Sequence, residues 1–425
     1  MQLIHRKSCR VCNSTSLTKV IDLGMQYSQG LFVKEGVQMP PLERFPTALV
    51  LCDPSKDKNA CGLLQMESTV PKEVLYSNYW YRSGTNNTMR NHLKDIVNEA
   101  ISILNKNKGL VLDIGCNDGT LLNFYSNNFE KYGIDPSNAI SGSKGEFTTI
   151  KDFFPSKKLI AELKDKKFDI VTSIAMFYDL EDPLSFAKAV KDILSDKGIW
   201  ILEMSYMPSM LESNSYDTIC QEHLEYYSLS AIKYILAKSE LKLFNASFNS
   251  INGGSLRCYV THEKNSAYED SSFTKNIEKF LWKESLLSLN TIKPYLDFQK
   301  KIENHKSELS SLLKSLKKED KKIHIYGAST KGNTILQWCG IGKEIIDVAA
   351  DRNPDKYGAR TLGSDIPIVS EAESRAMNPD YYLVLPWHFK EEFLLREKET
   401  IDRGIGFIFP LPKIEIIHKS KQRVF

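Results

Sequence analysis

The sequence has no apolar run long enough to cross a bilayer, and its opening residues, MQLIHRKSCRVC, contain no apolar stretch of the signal-peptide kind. A cytoplasmic location without a membrane partner is therefore expected. An excess of either charge is missing too. Lys and Arg total 56 against 53 Asp and Glu, a formal net charge of +3, so no nucleic-acid partner is expected. The lysine-rich KSLKKEDKK at 314–322 includes acids and reads as a solvated helix end and linker. No repeat of solenoid period is present. Cysteine is not lacking: there are eight, and in a reducing compartment they serve as thiols or metal ligands more readily than as disulfides.

A chain of 425 residues exceeds what one core organises, and two or three domains are expected. Residues 1–70 read as strands and loops with four cysteines. Residues 71–264 begin with a helical stretch, RNHLKDIVNEAISILNK, and continue through GLVLDIGCNDGTLL, KYGIDPS, FDIVTSIAMFY and KGIWILEMS, strands separated by helical segments. Residues 265–322 read as a helical connector. Residues 323–425 start a second strand–turn–helix unit at KKIHIYGASTKGNTILQWC, with IIDVAADRNP and YYLVLPWHF as further strands. Alternating strands and helices predict parallel, doubly wound α/β sheets in both larger units.

Cys9 and Cys12 form C-x-x-C, and Cys52 and Cys61 form a second, wider pair. Two thiolate pairs can close a tetrahedral zinc site with no open position, which would be structural. The alternatives are four unconnected thiols or a redox pair at 9 and 12. A redox C-x-x-C follows a strand and opens a helix, whereas this one opens the chain.

In LVLDIGCNDGTLL an acid ends an aliphatic strand and D-x-G-x-x-x-G follows. Glycines allow a sharp turn and a close ligand approach, and the N–H groups of the next helix attract anions. About twenty residues on, YGIDPS ends a second strand at Asp135, where an acid suits ribose hydroxyls. The lone first glycine disfavours the competing dehydrogenase reading. The pattern resembles the class I S-adenosylmethionine-dependent methyltransferases. That resemblance assigns Asp113, Gly115, Asn117 and Gly119 to the methionine end of S-adenosyl-L-methionine and Asp135 to the ribose. It places Asp152 and Phe153 of KDFFP near the adenine, and adds Ser83 to the cofactor set.

Beyond the fifth strand lies NSYDTICQEHLEYYSL, with Glu222 and His223 beside Tyr226 and Tyr227. Histidine titrates near neutrality and serves as a general base, and a neighbouring acid can orient it. The plain alternative is a structural histidine at a helix start. The N-terminal cysteine pairs, YWYRSG at 79–84, LDIGCNDG, QEHLEYYS, NGGSLR at 252–257 and GASTKGNT at 327–334 occur in that order. The ordered set resembles the nucleotide-sugar C-methyltransferases over nearly the whole chain. The resemblance implies a zinc-binding N-terminal module, a central cofactor domain, a C-terminal α/β domain, and methyl transfer to C-3′ of a nucleotide-diphosphate 4-keto deoxysugar. It makes His223 the base, with Glu222 beside it and Tyr79 and Tyr81 as phenol donors.

Two positions depart from the family pattern. Where a histidine is expected at the mouth of SIAMFYDL stands Phe177 or Tyr178, and where a tyrosine is expected three residues before the base stands Cys220. Tyr178 is the candidate replacement donor. In the C-terminal unit, Ser329, Lys331, Gly332 and Asn333 sit at a glycine turn before a helix, suited to a diphosphate or to mere packing. Trp387 and His388 of LPWHFK are candidates for stacking on the base or the sugar, or for core packing. Rival functions are O-methyl transfer to the same type of sugar, which needs no ketone, and a non-catalytic module that keeps the cofactor fold. A monomer is expected.

Overall fold

The computed structural model describes residues 3–39, 42–71, 75, 82–85, 87–142, 145–419 and 421–424. At the N-terminus, Leu17–Tyr27 (β1), Arg44–Cys52 (β2) and Leu64–Met66 (β3) pair antiparallel in that order. The fourth strand of this sheet comes from far along the chain: Glu225–Tyr226 pairs with β3, Glu225 opposite Gln65. The module expected at 1–70 is thus completed by the segment that carries Glu222 and His223. It also reaches the C-terminal domain, where Phe32–Val33 pairs with Arg360–Thr361.

The central domain opens with Asn87–Leu104 (α1). Its Met89, Leu93, Ile96, Val97, Ala100 and Leu104 recur at three- and four-residue steps and form one buried face. The strands Gly109–Ile114 (β4), Phe129–Ile134 (β5), Thr148–Ile150 (β6), Phe168–Ile174 (β7), Leu194–Ser205 (β8), Leu241–Asn249 (β9) and Ser255–His262 (β10) form one sheet, ordered β9-β10-β8-β7-β4-β5-β6 among the described residues. Only β10 runs antiparallel to its neighbours. Helices cover both faces, so strands such as β4 are buried from Leu110 on rather than alternating. The strand order reverses between β4 and β7. The crevice at their carboxyl ends is where such sheets bind ligands.

Helix Pro183–Ile193 (α2) explains the acids and proline after FY. Asp182 caps it by accepting the Ser185 N–H, and Pro183 occupies its first turn. The helices Leu229–Ala237 (α3), Ser271–Leu286 (α4) and Lys293–Lys318 (α5) follow, and Glu284 of α4 accepts from Tyr206 Oη and from the Ser230 hydroxyl of α3. In the C-terminal domain, Ile323–Tyr326 (β11), Ala349–Asp351 (β12), Ile368–Ser370 (β13), Tyr381–Val384 (β14), Gly406–Phe409 (β15), Glu415–His418 (β16) and Lys421–Val424 (β17) are ordered β13-β12-β11-β14-β15-β16-β17, parallel through β15. Helix Thr330–Cys339 (α6) follows β11 and packs its first turn against the loop before His223, Thr334 Oγ1 donating to the Ile219 carbonyl.

Candidate active site

The four cysteines converge. Cys9 Sγ and Cys61 Sγ are 3.5 Å apart, Cys12 Sγ and Cys52 Sγ 3.4 Å, and all four lie within 4.8 Å of one another. A zinc tetrahedron with Zn–S near 2.3 Å needs sulfurs about 3.8 Å apart, so the quartet fits the ion. Cys9 and Cys52 are fully buried. With four thiolates the coordination is closed, and the ion's part is to hold the fold. DPSKDKNA loops out between the second pair, as the wide spacing requires, with Asp57 accepting from Ser14 Oγ (2.7 Å).

The turn after β4 has the form a cofactor needs. Gly115, Asn117 and Gly119 all take left-handed φ, at 74°, 51° and 75°. Asp113 is buried and accepts from Thr172 Oγ1 (2.6 Å). Burial pushes its pKa up to about 7, with the charges of Asp135 and Asp118 adding to the rise. Asp135 is tied to the same turn: Oδ2 accepts the Asn117 N–H (2.9 Å), and Oδ1 accepts the Ser137 N–H and hydroxyl. Ser83 reaches the turn through its backbone, donating to Asn117 Oδ1 (3.1 Å), and Gly84 N–H donates to Asp118 Oδ2 (2.9 Å). Asp152 and Phe153 follow β6, which pairs with β5, so they share the rim with Asp135. Asp152 holds the helix cap Ser156 (2.8 Å), while Phe153 is 41% exposed.

The loop that carries His223 differs from expectation in what orients the ring. His223 Nδ1 lies 2.8 Å from the Thr218 carbonyl, so the neutral ring carries its proton there and leaves Nε2 a free lone pair. Glu222 does not touch the ring. Its side chain turns the other way, into a corner made by Gly30 and Thr330, so tightly that a Cβ on Gly30 would meet Glu222 Oε1 at 2.0 Å. Glu222 Oε2 is buried without a hydrogen-bond partner among the described residues, and burial raises its pKa. Burial also drives the His223 pKa down to about 3, helped by the positive charge of Lys331.

The strand before Phe177 ends sooner than expected. β7 stops at Ile174, Ala175 takes a left-handed φ of 55°, and Phe177–Asp179 form a 3-10 turn. This splits the two aromatics. Phe177 is core, packed on Phe186, Trp200 and Tyr227. Tyr178 faces the loop, its ring 4.2 Å from that of His223. Of the two aromatics, Tyr178 is therefore the one that faces His223. Cys220 is fully buried. Tyr79 and Tyr81 lie outside the described residues.

From the C-terminal domain, Lys331 lies near both His223 and His388, and the other candidates make packing contacts. Ser329 caps α6 with its own hydroxyl, accepting the Gly332 N–H (3.0 Å). Gly332 is pressed on Leu385. Asn333 is buried and donates to the Gln29 carbonyl (2.7 Å), clamping the N-terminal module. The Ser329 and Asn333 side chains thus make contacts within the fold. Lys331 Nζ donates to the Asn252 carbonyl (2.5 Å), and its charge bears on both His223 and His388. Trp387 packs on Gly253 and donates to Asp217 Oδ2 (2.8 Å). Asp217, fully buried with Oδ1 unpartnered among the described residues, was missed in the sequence because a lone acid in NSYDT carries no signal until α6 is folded against it.

Three family models match in succession: a zinc binding domain over residues 9–76, a methyltransferase domain over 86–245, and a C-methyltransferase C-terminal domain over 250–412. The chain is 24% identical to the C-methyltransferase NovU of Streptomyces niveus over 414 residues, 96% of each protein. The chain is an S-adenosylmethionine-dependent C-methyltransferase. Partial likenesses to solved structures include the magnesium protoporphyrin IX methyltransferase ChlM of Synechocystis PCC 6803 with bound SAH (15% identity, 43% of this chain and 90% of that one, TM-score 0.34). The N-methyltransferase NodS of Bradyrhizobium japonicum WM9, also with SAH, gives 12%, 43%, 90% and 0.34. The family models, not these structures, carry the assignment. In this C-methyltransferase the cofactor turn, the closed cysteine site and the E-H loop fall in separate sequence regions, and the fold places the loop against all three modules.

Proposed function

We propose that this C-methyltransferase acts at C-3′ of a nucleotide-linked 4-keto (deoxy)sugar, by way of an enolate. The observation that carries the reading is the His223 ring, kept neutral by burial and with its Nδ1–H fixed by the Thr218 carbonyl, which leaves the lone pair on Nε2. A carbon becomes nucleophilic only after losing a proton, and a neighbouring ketone makes that proton removable. His223 takes it at Nε2. The pair left on carbon spreads onto the ketone oxygen, which needs a donor or a positive charge. Lys331, brought beside the base loop by α6, supplies such a charge for that oxygen or for the diphosphate. Tyr178 supplies a phenol next to the ring. When bound, S-adenosylmethionine offers the electrophilic methyl group. Asp113, Asp135 and the turn between them would hold it at the carboxyl ends of β4 and β5. A cytoplasmic monomer completes the reading.

The test is methyl-labelled S-adenosylmethionine with a panel of nucleotide 4-keto sugars, followed by carbon NMR of the product. A signal in the C–CH3 region, lost in His223→Ala, is expected. A signal in the O–CH3 region would show that no ketone is needed and would overturn the enolate. Unchanged turnover in Tyr178→Phe would remove the phenol from the mechanism.

A further inference from the structure

Arg10 stands between two metal ligands, Cys9 and Cys12, yet its side chain runs away from the sulfurs and beneath the base loop. It has no exposed surface. Nη1 donates to the Met66 carbonyl (2.8 Å) and to Gln65 Oε1 (3.2 Å), Nη2 to Thr69 Oγ1 (2.7 Å), and Nε to Glu181 Oε2 (3.4 Å). Also facing Nε, at 3.6 Å, is Glu225 Oε1, equally covered. Neither oxygen of Glu225 has a hydrogen-bond partner among the described residues; burial raises its pKa, and the guanidinium opposes that rise by favouring the carboxylate.

Glu225 is two residues beyond His223. Between them Leu224 is fixed on both sides, its N–H donating to the Tyr178 carbonyl (2.7 Å) and its carbonyl accepting the Met66 N–H (2.8 Å). Glu181, three residues beyond Tyr178, is held by Arg6 and by Thr69 Oγ1 (2.7 Å) as well as by Arg10. One guanidinium therefore joins the two strips of backbone whose rings, Tyr178 and His223, face each other. It reaches the reacting atoms only through them.

We propose that Arg10 is a positioning residue for the base: the cysteine-bound metal anchors its backbone, and its guanidinium sets the seat of His223 through Glu225 and Glu181. The effect on turnover rests on the reading of His223 as base; the effect on the loop does not. An arginine that only stabilised the zinc module would, when removed, loosen that module as a whole. A positioning arginine frees the base segment first.

The experiment is hydrogen exchange by mass spectrometry on the full-length, zinc-loaded chain, comparing wild type with Arg10→Met, Arg10→Lys, Glu225→Gln and the double variant Arg10→Met/Glu225→Gln. In Arg10→Met, exchange over residues 220–228 is expected to rise roughly tenfold while residues 109–135 keep their wild-type protection. Zinc should stay at one per chain and S-adenosylmethionine affinity within about twofold of wild type. Arg10→Lys should recover part of the protection. The double variant, which removes both partners of the contact, should be better protected at 220–228 than Arg10→Met alone, whose buried carboxyl has lost its guanidinium. With a substrate in hand, kcat falls and KM holds. Unchanged protection at 220–228, an equal rise over 109–135, or loss of zinc along with the protection would each overturn the proposal. If Arg10→Met does not fold, Glu225→Gln decides: raised exchange confined to 220–228 with zinc retained supports the proposal, and wild-type protection sinks it. A wild type that turns over no nucleotide sugar refutes the substrate reading and leaves the exchange result standing.

Discussion

His223 donates from Nδ1 to the carbonyl of Thr218, five residues back in the same loop. The bond fixes ring and tautomer together, with no carboxylate involved. His223→Ala should lower methyl transfer by on the order of 10²–10⁴-fold, the usual share of a general base. Glu222→Gln should cost less, because Glu222 does not orient the ring. Calorimetry with S-adenosylmethionine should give wild-type affinity for both variants.

The pH dependence follows from the environment of the same ring. Burial, then the charge of Lys331, hold the His223 pKa at about 3. That is below the unfolded value near 6.5. The unfolded chain therefore binds a proton that the folded chain refuses, and His223 lowers stability as pH falls from about 6.5 toward 3. The free base persists throughout that window, so the acid limb of kcat/KM in the free enzyme should not report a histidine near 6.5. Lys331→Met should raise the His223 pKa, which carbon NMR of labelled histidine would read directly. If Lys331 serves the diphosphate, the variant raises KM; if it serves the enolate, kcat falls.

Asp113 titrates in the opposite sense. Its pKa, raised to about 7 chiefly by burial, lets the folded apoprotein hold a proton that the unfolded chain loses above about 4. That contribution to stability is full below the unfolded value and is lost as pH rises through 7. S-adenosylmethionine is positively charged at its sulfonium and amino groups, so binding beside Asp113 favours the carboxylate. Cofactor binding at pH 6 should release close to one proton, measured by calorimetry in buffers of different ionisation heat. Asp113→Asn should abolish the release.

The glycine turn makes a steric prediction. A Cβ at Gly119 would lie 2.1 Å from Phe147 Cζ, at a φ of 75°. Gly119→Ala forces Phe147 aside and adds left-handed strain of about 1–2 kcal/mol. Cofactor affinity should fall on the order of tenfold, with zinc content unchanged, as read by calorimetry and atomic absorption.

Metal removal should unfold locally before it unfolds globally. Cys52→Ser or a strong chelator should release one zinc per chain and lower Tm, because buried thiolates lose their shared cation. The far-UV signal of the central sheet should outlast the N-terminal module.

Much of this was legible in the sequence because the relevant signals are local. The β4 turn, the C-x-x-C and the strand–helix alternation are each contained in a dozen residues, and the structure places them as read. What was not legible depends on contacts between distant segments. Phe177 and Tyr178 are adjacent and both aromatic. Only the early end of β7 at Ile174 and the turn after it decide that one enters the core and the other faces His223. That Asn333 donates to the Gln29 carbonyl could not be read either, because the two residues lie 304 apart in the chain. Glu222 looked like a partner for its neighbour, but consecutive side chains in this loop point apart.

The late strand Glu225–Tyr226 also has a consequence for synthesis. The N-terminal sheet leaves the ribosome with its β3 edge unpaired, and the strand that covers it arrives about 160 residues later. At 5–20 residues per second, that edge stays open on the order of ten seconds. An open edge invites pairing with another chain. Early zinc capture would tie down the nascent module during this wait, so cells starved of the metal should accumulate aggregates of the newly made chain while the finished protein stays in solution.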